Sequence, residues 1–97
     1  MSTRKTQDIL AALTSKGFVV ESKHHKMLWL VVGGKRSAIF TYVSHGRREY
    51  HDALLASMAR QLKLRRRQLD DLIDCPMTSE AYIKLLEQEN HITIRNR

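Results

Sequence analysis

Ser22-Lys23-His24-His25-Lys26-Met27-Leu28-Trp29-Leu30-Val31-Val32-Gly33-Gly34-Lys35-Arg36 is the stretch on which the fold turns. Met27 to Val32 is an unbroken apolar and β-branched run of strand length, and Gly33-Gly34 behind it predicts a tight hairpin turn into a second strand, Arg36 to Val43. Upstream, Phe18-Val19-Val20 has the same character, so three strands follow one another as a meander. In the central strand His25, Met27, Trp29 and Val31 fall on one face and Leu28, Leu30 and Val32 on the other. Both faces are apolar. One packs on helices, and the other needs a partner protein, a second copy or the C-terminal helices to cover it. Trp29, inside this run, reads as core rather than as a platform for unpaired bases, a role also open to Tyr42 and Tyr50.

Helices flank the meander. Ile9, Leu10, Ala12 and Leu13 make a short apolar stripe that Gly17 can terminate, which predicts a first helix over about residues 4–16. After the polar connection Ser44-His45-Gly46-Arg47-Arg48, the residues Leu54, Leu55, Met58, Ala59 and Leu62 share a helical face, giving a second helix over about 50–63. Arg65-Arg66-Arg67 precedes a short helix with Leu69, Leu72 and Ile73, which should stop near Cys75 because the sole proline, Pro76, restricts the residue before it. Thr78 or Ser79 can cap a last helix containing Tyr82, Ile83, Leu85 and Leu86. The tail from His91 to Arg97, with alternating Ile92 and Ile94, either adds an edge strand or frays. The expectation is an α+β fold of order α-β-β-β-α with additional C-terminal helices. It forms a single domain over 1–97, divided into a core at 1–64 and a helical extension at 65–97.

Charge is distributed unevenly over this plan. The chain carries a formal +7, but residues 1–68 hold fourteen basic and four acidic side chains, whereas 69–97 hold three basic and six acidic. A basic N-terminal two-thirds favours a polyanionic partner, because each neutralised phosphate releases condensed counterions. The single cysteine cannot form an internal disulfide, and the longest apolar run is far too short to span a bilayer, so a reducing, cytoplasmic setting without membrane insertion is expected.

The order of elements with this charge is that of a double-stranded-RNA-binding-like fold, in which helices cover one sheet face. Over roughly residues 6–64 the chain resembles the HicA-type toxins, small mRNA-cleaving ribonucleases of bacterial and archaeal toxin–antitoxin systems. The resemblance lies in Lys16-Gly17-Phe18 closing the first helix, the histidine-bearing start of the second strand, the glycine turn, and His45-Gly46 ahead of a leucine-rich helix. The family's usual Gly-Ser-His at the catalytic strand start is here Ser22-Lys23-His24-His25. The resemblance implies a metal-independent endoribonuclease needing no cofactor, with a strand-borne histidine as general base on the 2′-hydroxyl and a HicB-like antitoxin as protein partner. Spacing from the hairpin turn favours His25, while His24 is the first histidine of the pair.

Imidazole suits this chemistry because its ordinary pKa of about 6.5 leaves both protonation states accessible at neutral pH. Lys23, Lys26, Arg47 and Arg48 can neutralise charge building on phosphoryl oxygens, His45 is a further RNA contact, and Arg65, Arg66 and Arg67 add a basic run. No metal site is expected at the histidines, since neighbours on a strand point to opposite faces. A non-catalytic RNA-binding module is the alternative from a different class.

Overall fold

The computed structural model describes residues 3–22, 24–44, 46–74 and 76–92. Its order is β1 (Arg4–Lys5), α1 (Thr6–Ser15), β2 (Phe18–Ser22), β3 (Lys26–Val32), β4 (Lys35–Val43), β5 (Glu49–Tyr50), α2 (Asp52–Gln61), α3 (Arg66–Asp74) and α4 (Ser79–Gln88). This is a small α+β fold built on a three-stranded antiparallel sheet, β2-β3-β4, and four helices. Among the described residues no helix is long and apolar enough to cross a membrane.

The hairpin at Gly33-Gly34 forms as its residues require. Val32 pairs with Lys35 across a two-residue loop whose glycines have φ of 61° and 81°, the left-handed conformation that matches the twist of the flanking strands. Further along, the register of β3 on β4 shifts between Trp29 and Val31. There the Ser37 hydroxyl donates to the Leu30 carbonyl (2.8 Å) and accepts from the Ile39 N–H (3.1 Å), so a side chain takes over where the ladder is interrupted.

Alternation along the sheet separates two faces. Phe18, Leu28, Leu30, Ile39, Thr41 and Val43 are buried beneath the helices. On the buried face α1 packs over β2 and α2 over β4, and α3 lies against both helices. Thr41, fully buried, donates to Gln61 Oε1 of α2 at 2.5 Å. One cluster of buried residues extends from Ile9 to Leu86, so the last two helices share the core of the first two. Tyr82 of α4 stacks on Phe18 with ring centroids 6.1 Å apart, and its hydroxyl donates to the Leu62 carbonyl at 2.8 Å. Thr78 caps α4, accepting from the Ala81 N–H at 3.0 Å. The buried Lys16 amine donates to the carbonyl of Leu72 (3.0 Å), in the last turn of α3, and to that of Met77 in the connection beyond it, bridging the two.

Four expectations change. Arg4–Lys5 is not the first turn of α1 but a strand paired antiparallel with Glu49–Tyr50, so α1 begins at Thr6 and α2 at Asp52. Arg66 is not a free cation of a basic run, because carboxylates of α2 and α3 hold it. Trp29 is not in the helix-facing core: it lies on the opposite sheet face, half-buried against Phe40 at 4.6 Å. The C-terminal helices do not cover that face; they extend the helical layer, and Val19, Phe40 and Tyr42 stay exposed. Cys75 and Thr93 to Arg97 lie outside the described residues, while Ile92 packs against the core.

Candidate nucleic-acid interface

Three chain segments meet at the start of α1. The Thr6 N–H donates to the Arg48 carbonyl at 2.8 Å and its hydroxyl to the Arg47 carbonyl at 2.5 Å, tying the connection after β4 to the first turn of the helix. Beside it Arg4 pairs with Tyr50 and Lys5 with Glu49. Alternation in this short strand sends the two basic side chains to different places. Lys5 joins Lys26, Arg47 and Arg48 around an open cleft over Leu10 and Gln7, with Glu49 as an acidic group on the same rim. Lys5, Arg47 and Arg48 are exposed, and Lys26 is half-buried at the start of β3. Tyr50 is buried, accepts the Ser44 N–H on its hydroxyl at 2.9 Å, and carries the Arg47 guanidinium over its ring at 5.6 Å. It supports the cleft and offers no free ring to a base.

Arg4 turns the other way. Its guanidinium donates to both carboxylate oxygens of Asp74 (2.6 and 2.7 Å) and to Asp70 (2.9 Å). Arg66 completes the network, 2.8 Å from Asp70 and 3.1 Å from Asp52. The hydrogen bond to Asp74 dominates at Arg4 and raises it further above its ordinary value against the opposing effect of burial. Burial pushes the Asp70 carboxyl up, but hydrogen bonds from Arg66 and Arg4 outweigh it and leave it below the usual carboxylate range; Arg4 lowers Asp74 in the same way. Arg66 is therefore spent on joining α2 to α3. Its neighbours Arg65 and Arg67 are exposed.

His25 parts company with the cleft. His25 rests on the ring of Tyr42, centroids 5.0 Å apart, on the sheet face turned away from the helices. Lys26 pairs with Val43, whose side chain is buried on the other side. The sheet thus lies between the His25 imidazole and the Lys26 amine, while His24 is exposed in the bend that precedes β3. Lys23 and His45 lie outside the described residues. Sequence reading identified Lys26, Arg47 and Arg48 but missed Lys5, which only the pairing with Glu49 brings to the cleft. It also missed Phe40 and Arg36 on the aromatic face. Compared with protein-family models, with curated proteins and with solved structures, the chain gives no match in any of the three.

Proposed function

We propose that this protein binds RNA and cleaves it as a metal-independent mRNA endoribonuclease, with the cleft beside α1 holding phosphates and a histidine of the β2–β3 turn acting as general base. The observation that carries the reading is the convergence of Lys5, Lys26, Arg47 and Arg48 from three separate segments on one concave surface, next to that turn. We read the α-β-β-β-α core, with its helices on one face of a three-stranded antiparallel sheet, as double-stranded-RNA-binding-like, a reading consistent with an RNA ligand. In the reaction the imidazole takes the 2′-hydroxyl proton, the 2′-oxygen bonds to the adjacent phosphorus, and the bond to the 5′-oxygen breaks, that oxygen taking a proton from solvent. The products are a 2′,3′-cyclic phosphate and a 5′-hydroxyl. Cleft cations stabilise the charge that develops on the phosphoryl oxygens.

The two histidines correspond to two surfaces. A base acting on phosphate held in the cleft is His24, the exposed histidine of the pair that does not pack on Tyr42; a base acting on the aromatic face is His25. In a cell the activity requires a blocking partner, and a HicB-like antitoxin with an acidic surface complements the cleft. The cytoplasm, where mRNA and such a partner meet, is the corresponding compartment.

The test is a defined mRNA incubated with protein in EDTA, comparing wild type with His24→Ala and His25→Ala on a denaturing gel. Cleavage that persists in chelator and is lost in one variant establishes the ribonuclease and identifies its base. A second reading, a non-catalytic RNA-binding module, draws on the packing of His25 against Tyr42, which occupies a ring face of that imidazole. Intact RNA that is retarded on a native gel selects it.

A further inference from the structure

We infer that the sheet face turned away from the helices is a stacking platform for unpaired RNA bases, with Phe40 and Tyr42 as its two open rings. The inference rests on the RNA reading above and adds that the bound strand is single. Cross-strand register sets Val19, Trp29 and Phe40 in one row and Glu21, Met27 and Tyr42 in the next. Phe40 is 37% exposed and Tyr42 39%, far more than an aromatic ring committed to a core. Each ring is backed from within the face. Trp29 is stacked on Phe40 at 4.6 Å and covered by the Arg36 guanidinium at 4.8 Å, while His25 lies against Tyr42. A base settling on either ring meets a surface already held in place.

Spacing points to an unpaired strand. Phe40 and Tyr42 are two residues apart on β4, about 7 Å along the strand. That is about twice the 3.4 Å separation of stacked bases in a duplex. Neighbouring bases can each take one ring only when splayed apart, as in single-stranded recognition on sheets.

Charge on the face itself is balanced, and the cation that favours a nucleic-acid strand stands at its edge. Arg36 lies on the face, and the face's acidic residue among those described, Glu21, sits 3.5 Å from it in an ion pair. At the β4 edge Tyr42 and Arg47 line one hollow, and Arg47 also lines the phosphate cleft. A strand stacked on Tyr42 therefore reaches the cleft by passing round the β4 edge at Arg47, which lines both. Rings alternating with arginines are the pattern of sequence-tolerant single-strand binding.

The experiment uses the full chain and a short 2′-O-methyl oligoribonucleotide, which has no 2′-hydroxyl to react, both single-stranded and annealed to its complement. Affinity is read by anisotropy of a labelled strand and by emission of Trp29, the sole tryptophan. Expected are preference for the single strand, quenching of Trp29, and affinity weakened about fivefold or more in each of Phe40→Ala and Tyr42→Ala, with Tyr42→Phe close to wild type. Thermal melts of each variant confirm that the fold is kept. Affinities in both alanine variants within about twofold of wild type, alongside loss of binding in Lys26→Ala/Arg48→Ala, overturn the platform and leave the cleft reading standing. No binding of either RNA form by wild type overturns both. A dimer in sedimentation that Phe40→Ala and Tyr42→Ala dissociate, with RNA affinity unchanged, assigns the face to a second copy of the chain and overturns the inference.

Discussion

Salt dependence offers a direct measure of the cleft. Lys5, Lys26, Arg47 and Arg48 surround it, and each phosphate neutralised on a single strand contributes about −0.7 to the slope of log affinity against log salt. Four contacts give a slope of about −2.8, so affinity for single-stranded RNA should fall about 50-fold between roughly 50 and 200 mM salt. Removing one cation should bring the slope to about −2.1 and the fall to about 20-fold. Lys5→Ala, Lys26→Ala and Arg48→Ala are the clean substitutions. Arg47 is less so, because its guanidinium packs over the buried Tyr50 and its loss also alters the edge of the core. The assay is anisotropy of an uncleavable labelled RNA over a salt series, with binding to a duplex measured alongside. A wild-type slope near zero, or slopes unchanged in all three variants, would refute the assignment of phosphates to this cleft.

Three further outcomes follow from the packing. Lys16→Met removes the amine shared by the Leu72 and Met77 carbonyls; losing charged hydrogen bonds at a largely buried site should cost about 2–4 kcal/mol in urea denaturation, and a cost under about 0.5 kcal/mol would mean the carbonyls find other donors. Asp70 and Asp74 are lowered in the folded state, so their contribution is complete above the unfolded carboxylate value of about 3.9 and disappears as pH falls through it and then through the lower folded values. Because Asp74 is half exposed the effect is small, about 0.2–1 kcal/mol for such a pair, and Arg4→Met should flatten the acid limb of stability against pH; an unchanged limb would remove Arg4 from the account. Ending the chain after residue 75 strips away Tyr82 and Leu86, both fully buried, and should abolish cooperative melting, whereas a sharp thermal transition in that truncated chain would show the first three helices to be self-sufficient.

The sequence was most legible where a local rule acts. Gly33-Gly34 supplies the left-handed turn, Thr78 supplies a cap, and the alternation of Leu28 and Leu30 with Met27 and Trp29 separates the sheet faces. Which apolar face the helices would choose was not legible, because β3 is hydrophobic on both sides and the answer lies in how α1 and α2 meet Phe18 and Val43. Trp29 was misread for that reason. Strands of two residues such as β1 and β5 carry no periodicity, so Lys5 looked like the start of a helix. Arg66 looked free because Asp70 lies inside the same short helix, while Arg4, which binds that carboxylate from the other side, is separated from it by 66 positions. In the candidate site, Lys26, Arg47 and Arg48 could be named from their place beside predicted turns. Their meeting point could not, since it depends on Thr6 holding the carbonyls of Arg47 and Arg48.

The pairing of Arg4 with Tyr50 has a consequence for the order in which the protein is assembled. It closes a loop that contains α1 and the whole sheet, and Arg4 is held in turn by Asp70 and Asp74, far down the chain. Contacts of such long sequence separation bear the entropy of loop closure before they return anything, and so form late. During synthesis Lys5 emerges before its pairing partner Glu49, and Arg4 beside it gains its carboxylate partners only once α3 has followed. A nascent chain on the ribosome, surrounded by RNA, has its cations but not yet their arrangement, and the cleft comes into being with the completed fold.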